Sequence, residues 1–307
     1  MWIAVPRVSS ILVALIVAAC GSSHETDSEG QAYPSPEPAR WVDFLDDAEA
    51  LGKVAVVSVE RSPVRVMGRR FQTRCVGEGA PNVMLVSGQG TPLENWDEIQ
   101  ARIGSIARVC AYDRLGIGTS GKPPPSQTFT SFAEDLDGVM DALALQRPLI
   151  VVGHSLGGPI AMTWATSHAR DTGGVVLVDS ASAQFVDWYT AGMSAAEKAA
   201  PQDPADNPEH VDDRVAWAQL KDLPRLGDVP LVVLTHDPSN PDSVEYHIPE
   251  RDPKDAAEAW VEGQRQWALH SDEAELVTVQ GAGHFIHHHV PSAVTAAILQ
   301  AKAMSAG

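Results

Sequence analysis

One short stretch of the chain carries the residue types of nucleophilic catalysis: Gly153-His154-Ser155-Leu156-Gly157-Gly158. It follows the apolar run Leu149-Ile150-Val151-Val152, which reads as a strand, and it opens a segment with helical spacing. G-x-S-x-G between a strand and a helix is the pattern of a nucleophile elbow. Side chains flanking the serine would collide in so tight a turn, and glycine at 153 and 157 removes the Cβ atoms that would do so. Ser155 is then expected in a strained conformation, with its hydroxyl facing a cleft. The start of the following helix adds a field that favours a developing anion. A serine hydroxyl is a weak nucleophile near neutral pH. It needs a base to take its proton, a carboxylate to orient that base, and donors for the oxyanion.

His284 is the expected base. It follows the strand-like run Glu275–Val279 on the loop Gly281-Ala282-Gly283. His154 adjoins the nucleophile, but at an elbow its side chain should point away, so it reads as structural. His287, His288 and His289 are consecutive, and three successive residues do not face one point. No metal site is expected there, and the three read as lining or capping an entrance. Two carboxylates compete to orient the base. Asp179 ends the strand Gly174–Val178, beside the nucleophile strand, and Asp237 follows the next strand, Leu231–Leu234. Asp242 is a third candidate. Each also suits a plain turn or helix-capping role.

The elements that must position these groups alternate along the chain. Short β-branched runs occur at Lys53–Val59, Val83–Val86, Arg108–Tyr112, Leu149–Val152, Gly174–Val178, Leu231–Leu234 and Glu275–Val279. Helix-like stretches fall at Trp96–Ile106, Phe132–Leu145, Gly158–His168, Ala256–Leu269 and about Ser292–Ala303. That alternation predicts an α/β fold with a mostly parallel sheet covered by helices on both faces. Val64–Cys75, broken at Gly68, predicts an antiparallel hairpin at the sheet edge. Residues 181–228 are too long for a structureless connection. They carry Trp188, Tyr189, Trp217 and the helix-like run Val211–Leu220, and they read as a small helical cap over the strands' carboxyl edge.

Four stretches in order resemble the α/β-hydrolase family over roughly residues 53–304. Val83-Met84-Leu85-Val86-Ser87-Gly88-Gln89-Gly90 is similar to its strand and H-G-x-G oxyanion loop, with Ser87 in place of histidine. Tyr112-Asp113-Arg114-Leu115-Gly116-Ile117-Gly118-Thr119-Ser120 resembles its D-x-x-G-x-G-x-S turn, the elbow follows, and Ala282-Gly283-His284-Phe285-Ile286 resembles its histidine loop. The resemblance implies an α/β-hydrolase fold with the chain order Ser, acid, His. It also implies oxyanion donors at the backbone N–H groups of Gln89 and Leu156. The usual acid follows the later strand, near Asp237, whereas Val178-Asp179-Ser180-Ala181 resembles lipases whose acid follows the earlier one. Asp179 is preferred, with Asp237 left open. The implied activity is a cofactor-free serine hydrolase acting on a small acyl substrate, first a carboxylic ester. Perhydrolysis and carbon–carbon bond cleavage remain open on the same site, and a non-catalytic ligand-binding lipoprotein is the rival from another class. A serine nucleophile argues against the dehalogenase and epoxide-hydrolase branches, which use aspartate.

Compartment is read from the first residues. Arg7, the apolar run Ile11–Ala19 and small residues before Cys20 form a secretory signal over residues 1–19. Val17-Ala18-Ala19-Cys20-Gly21 resembles a bacterial lipobox, which implies lipidation of Cys20 and an extracytoplasmic protein held on the cell membrane. Residues 20–40, rich in Ser, Glu, Gly and Pro, read as a flexible tether, and 41–307 as the hydrolase domain. In an oxidising compartment Cys75 and Cys110 could pair or stay as free thiols. Removal of Arg7, the one charge in residues 1–19, takes the formal charge from −18 to −19. Forty acids against 22 bases exclude a cationic nucleic-acid-binding face, while 44% hydrophobic content excludes wholesale disorder. Nothing in the sequence names a protein partner.

Overall fold

The computed structural model describes residues 38–56, 59–194, 207–240 and 253–305. The signal segment 1–19, Cys20, nearly all of the 20–40 tether and Asp242 lie outside those residues. One sheet contains β1 (Ser62–Val66), β2 (Arg69–Val76), β3 (Val83–Val86), β4 (Val109–Asp113), β5 (Leu149–His154), β6 (Thr172–Val178), β7 (Leu231–His236) and β8 (Ala274–Val279). Among the described residues the α-helices are α1 (Pro38–Ala50), α2 (Asp97–Ile103), α3 (Phe129–Ala142), α4 (Gly157–Ser167), α5 (Ala183–Ala191), α6 (Asp213–Gln219), α7 (Pro253–Ala268), α8 (Ile286–His289) and α9 (Pro291–Met304). Among the described residues no helix is long and apolar enough to cross a membrane.

The strand order is β1-β2-β4-β3-β5-β6-β7-β8. β1, β2 and β4 pair antiparallel, and every later pair is parallel. The expected edge hairpin is β1–β2. Its turn residues Met67 and Gly68 both have positive φ, 47° and 78°, the backbone twist that two-residue hairpins favour. In the β2–β4 pairing Cys75 lies opposite Cys110, and a disulfide joins them.

Alternate side chains of each strand feed two apolar cores. Leu85, Ile150, Val152, Val176 and Val232 meet α1, α2 and α9 through Trp41, Leu45, Ile99, Ile103, Val294 and Ile298. Met84, Val86, Val151, Val175 and Leu177 meet α3, α4 and α7 through Phe132, Leu136, Ile160, Trp164 and Trp267. Burial on both faces is why these strands read as unbroken apolar runs. Thr128 starts α3 with a reciprocal capping box to Ser131.

The run Lys53–Val59 is not a strand in its described part. Val54 donates its N–H to the Ala101 carbonyl at 2.9 Å, and Val59 donates to Val56 at 3.0 Å. Val56 is buried with α1 and α2. The described valines, Val54, Val56 and Val59, pack on this core rather than pairing as a strand. In the long 181–228 segment, α5 packs on α7, and Trp188, Tyr189 and Trp217 gather around Phe185 and Trp260.

Candidate active site

β5 ends at His154 and α4 begins at Gly157, leaving Ser155 on the turn with φ +50°. A non-glycine residue there is strained, and the surrounding contacts hold it. Its N–H donates to the Val178 carbonyl at 3.2 Å, and its carbonyl accepts from Gly158 at 3.0 Å and Ala181 at 3.2 Å. A Cβ on Gly153 would lie 2.4 Å from the Gly157 oxygen, and one on Gly157 would lie 2.2 Å from the Val86 oxygen. A third glycine is equally constrained: a Cβ on Gly158 would sit 2.1 Å from the Ser180 hydroxyl. Ser155 itself is 8% exposed.

The neighbouring strand ends in the same manner. His154 pairs with Val178, so Asp179 stands beside Ser155, and it too has a left-handed φ, +45°. Asp179 is fully buried. Its Oδ2 accepts from His284 Nδ1 at 2.7 Å. Both oxygens lie 3.0 Å from His236 Nδ1, and Oδ1 also accepts from the His236 N–H at 3.0 Å and Trp260 Nε1 at 2.9 Å. Burial would push this carboxyl up, but the hydrogen bonds and charge of His236 and His284 hold it far below the usual carboxylate range.

Asp237 is not the carboxylate on His284. Its Oδ1 accepts from the Ser239 N–H at 2.9 Å and hydroxyl at 2.6 Å, and its Oδ2 from the Gly281 N–H at 3.0 Å. Its own N–H donates to Ala282 at 3.0 Å. Asp237 therefore braces the loop that carries His284. The strand before it ends one residue earlier in His236, whose side chain turns back to Asp179.

His154 is buried beside the site, close enough to the oxyanion loop that a Cβ on Gly88 would lie 2.9 Å from its Nδ1. Its Nε2 lies 3.1 Å from the His284 carbonyl, and its ring packs against His287 at 4.5 Å. His287 does not line an entrance: it is 1% exposed, with its ring tilted against Trp96 at a centroid distance of 4.6 Å. Burial, with neighbouring histidines, pushes His154 and His287 well below the ordinary imidazole range. His288 and His289 are exposed, and His289 accepts from the Gly283 N–H at 2.9 Å. No group of side chains suited to a metal ion occurs among the described residues.

The loop Ser87–Gly90 follows β3 and presses on the elbow: a Cβ on Gly88 would lie 3.2 Å from the Ser155 Cβ. Leu156 opens α4 with its N–H at the helix start, and Gln89 is exposed at the loop's crest. Beneath the loop lies Arg114, 2% exposed, which donates to the carbonyls of Ser87 at 2.5 Å and Gly88 at 2.7 Å. Glu209, fully buried, faces that guanidinium at 2.5 and 2.9 Å. Sequence reasoning missed His236, Trp260, Arg114 and Glu209. Arg114 stands inside the quoted Asp113–Ser120 turn, so a signal existed for it; Glu209 had none.

The profile of the Alpha/beta hydrolase family matches residues 83–298. The chain belongs to this family. It is 27% identical over 224 residues to the uncharacterized protein YqjL of Bacillus subtilis (strain 168), spanning 72% of this chain and 83% of that one. It is 34% identical over 132 residues to the 2-hydroxymuconate semialdehyde hydrolase of Pseudomonas sp. (strain CF600), spanning 42% of this chain and 45% of that enzyme. The carboxylesterase CesB (YbfK) of Bacillus subtilis shares the fold, with a TM-score of 0.56, 18% identity, and coverage of 85% of this chain and 96% of that one.

Proposed function

We propose that this family member is an exported serine hydrolase that cleaves a carboxylic ester or related acyl bond through an acyl-enzyme. The observation that carries the reading is the 2.7 Å contact between Asp179 and His284 at the strand edge where Ser155 stands in its strained turn. With Nδ1–H held by Asp179, the His284 Nε2 is the basic nitrogen. It takes the Ser155 proton as Oγ attacks the carbonyl, then returns that proton to the leaving group. A water deprotonated by the same imidazole clears the acyl group. The backbone N–H groups of Gln89 and Leu156 receive the oxyanion, with the start of α4 adding its field. No cofactor enters this scheme.

Fluorophosphonate labelling tests it. Folded wild type should label and Ser155→Ala should not. An unlabelled, folded wild type would return the chain to the ligand-binding reading. Carbon–carbon bond cleavage is the second reading, favoured by the likeness to the 2-hydroxymuconate semialdehyde hydrolase. Turnover of a substrate whose scissile carbon–carbon bond is flanked by ketones, in preference to p-nitrophenyl esters, would select it over ester cleavage. Perhydrolysis would show as halide oxidation that depends on peroxide and a carboxylic acid.

The export part of the proposal rests on Val17-Ala18-Ala19-Cys20 and is supported by the Cys75–Cys110 disulfide, a bond that persists in oxidising compartments. The anchor would be acyl chains on Cys20, each buried methylene adding about 0.8 kcal/mol. Metabolic labelling with a palmitate analogue should mark wild type but not Cys20→Ala.

A further inference from the structure

Arg114 is buried under the oxyanion loop, and a charged group in that place needs a reason. Its Nη2 donates to the Gly88 carbonyl at 2.7 Å and its Nη1 to the Ser87 carbonyl at 2.5 Å. The Gly88 C=O and the Gln89 N–H are two ends of one planar trans peptide unit and point in opposite directions. Whatever fixes that oxygen therefore aims that N–H. Thr91 adds a second hold on the same oxygen, through its hydroxyl at 2.8 Å and its N–H at 3.3 Å. A cation on the carbonyl also draws density from the amide and makes its N–H a stronger donor.

The cation is balanced from a distant part of the chain. Glu209 receives Arg114 through two oxygens, and its Oε1 also accepts from the Gly90 N–H at 2.8 Å. The same carboxylate thus grips the loop on one side and the guanidinium below it on the other. The backbone around Glu209 is itself held by Gln127, whose side-chain Nε2 donates to the Glu209 carbonyl at 2.6 Å and whose N–H donates to the His210 carbonyl at 2.8 Å. Pro208 comes so near Gly116, φ +93°, that a Cβ there would lie 2.2 Å from the proline carbonyl. This accounts for a glycine of the Asp113–Ser120 turn that the catalytic scheme leaves unused.

We infer that Arg114 and Glu209 are positioning residues for the oxyanion hole, aiming and polarising the Gln89 N–H from beneath. The inference rests on the serine-hydrolase reading above. It makes residues 207–212 of the long insertion part of the catalytic support, not only a covering element.

The test uses the full chain, a p-nitrophenyl ester and a phenylboronic acid, whose serine adduct places a charged oxygen in the hole. Glu209→Gln should lower kcat about 10- to 100-fold, below the full loss of a donor. KM should stay within about threefold, as for an interaction made in the transition state. The boronate should weaken by the same factor as kcat, and the pH profile of kcat/KM should stay in place, since His284 and Asp179 are untouched. A folded variant with wild-type kcat, with only KM raised, or with a displaced pH profile overturns the inference. Should Glu209→Gln not fold, Thr91→Val decides. It removes one hold on the Gly88 carbonyl at a partly exposed site, and a parallel fall of about threefold or more in kcat and boronate affinity supports the inference. Wild-type values there overturn it. A wild type that neither labels with fluorophosphonate nor turns over ester fails before any substitution. That result removes the hydrolase reading and this inference with it.

Discussion

Asp179 holds His236 twice, through the backbone N–H at 3.0 Å and through the ring Nδ1 at 3.0 Å, while also accepting from His284 at 2.7 Å. One carboxylate is shared by two imidazoles. With Trp260 it has donors on both oxygens, which fixes its plane as well as its charge. Such sharing should weaken its pull on His284, because each donor takes part of the same negative charge.

His236→Leu should therefore leave more of the Asp179 charge to the His284 Nδ1–H. The acid limb of kcat/KM should move up in pH. His236→Asn, whose amide can still donate, should keep the wild-type limb. An acid limb unmoved in a folded His236→Leu would show that the second imidazole is only packing.

The two aspartates should separate cleanly by substitution. Asp179→Asn removes the group that orients the base, and kcat is expected to fall about 10⁴-fold. Asp237→Asn should leave kcat within about tenfold, because its oxygens serve Ser239 and Gly281. Its cost is expected in stability, about 1 kcal/mol for weakened loop hydrogen bonds. Steady-state kinetics with denaturant titration of both variants measures this. Equal kinetic effects would refute the division.

His154 and His287 predict acid lability. Both are held below their ordinary range by burial, so the folded state keeps them neutral while the unfolded chain protonates near pH 6.5. Below that pH the unfolded state binds more protons, and stability falls as pH falls. The slope approaches about 1.4 kcal/mol per pH unit for each histidine. The groups facing them are His284, His288, His289 and Asp179. Asp179, depressed in the fold, adds a further loss below about pH 3.9. Denaturant titrations from pH 7.5 to 5 should show the slope in wild type and a shallower one in His287→Phe.

The Cys75–Cys110 bridge closes a sequence separation of 35 residues. Chain entropy assigns such a closure about 4 kcal/mol. Cys75→Ser/Cys110→Ser, or the reduced protein, should melt about 10 °C lower, given the few degrees per kcal/mol of a domain this size. Activity at 25 °C should persist, because the bridge joins β2 to β4, away from the Ser155 edge.

Local chemistry was legible in the sequence. Gly153, Ser155 and Gly157 specify a strand-turn-helix within five residues, and steric exclusion acts over that short span, so the nucleophile could be read without a fold. The same holds for the unbroken apolar strands and the Met67-Gly68 hairpin turn, whose signals lie within single elements. Lys53–Val59 misled because valines that pack on a core, as Val54, Val56 and Val59 do, need not pair, and only pairing makes a strand. The acid could not be chosen from the sequence. Asp179 and Asp237 each stand just past a parallel strand, and what separates them is which one meets a loop 105 residues further on. That distance is set by the side-by-side register of β5, β6 and β7, together with the brace from Asp237 to Gly281. Arg114 and Glu209, 95 residues apart, are likewise joined only by packing. Residue type and spacing determined the chemistry available to this chain; tertiary structure decided which charges share a site, because electrostatic partners are selected by distance in space.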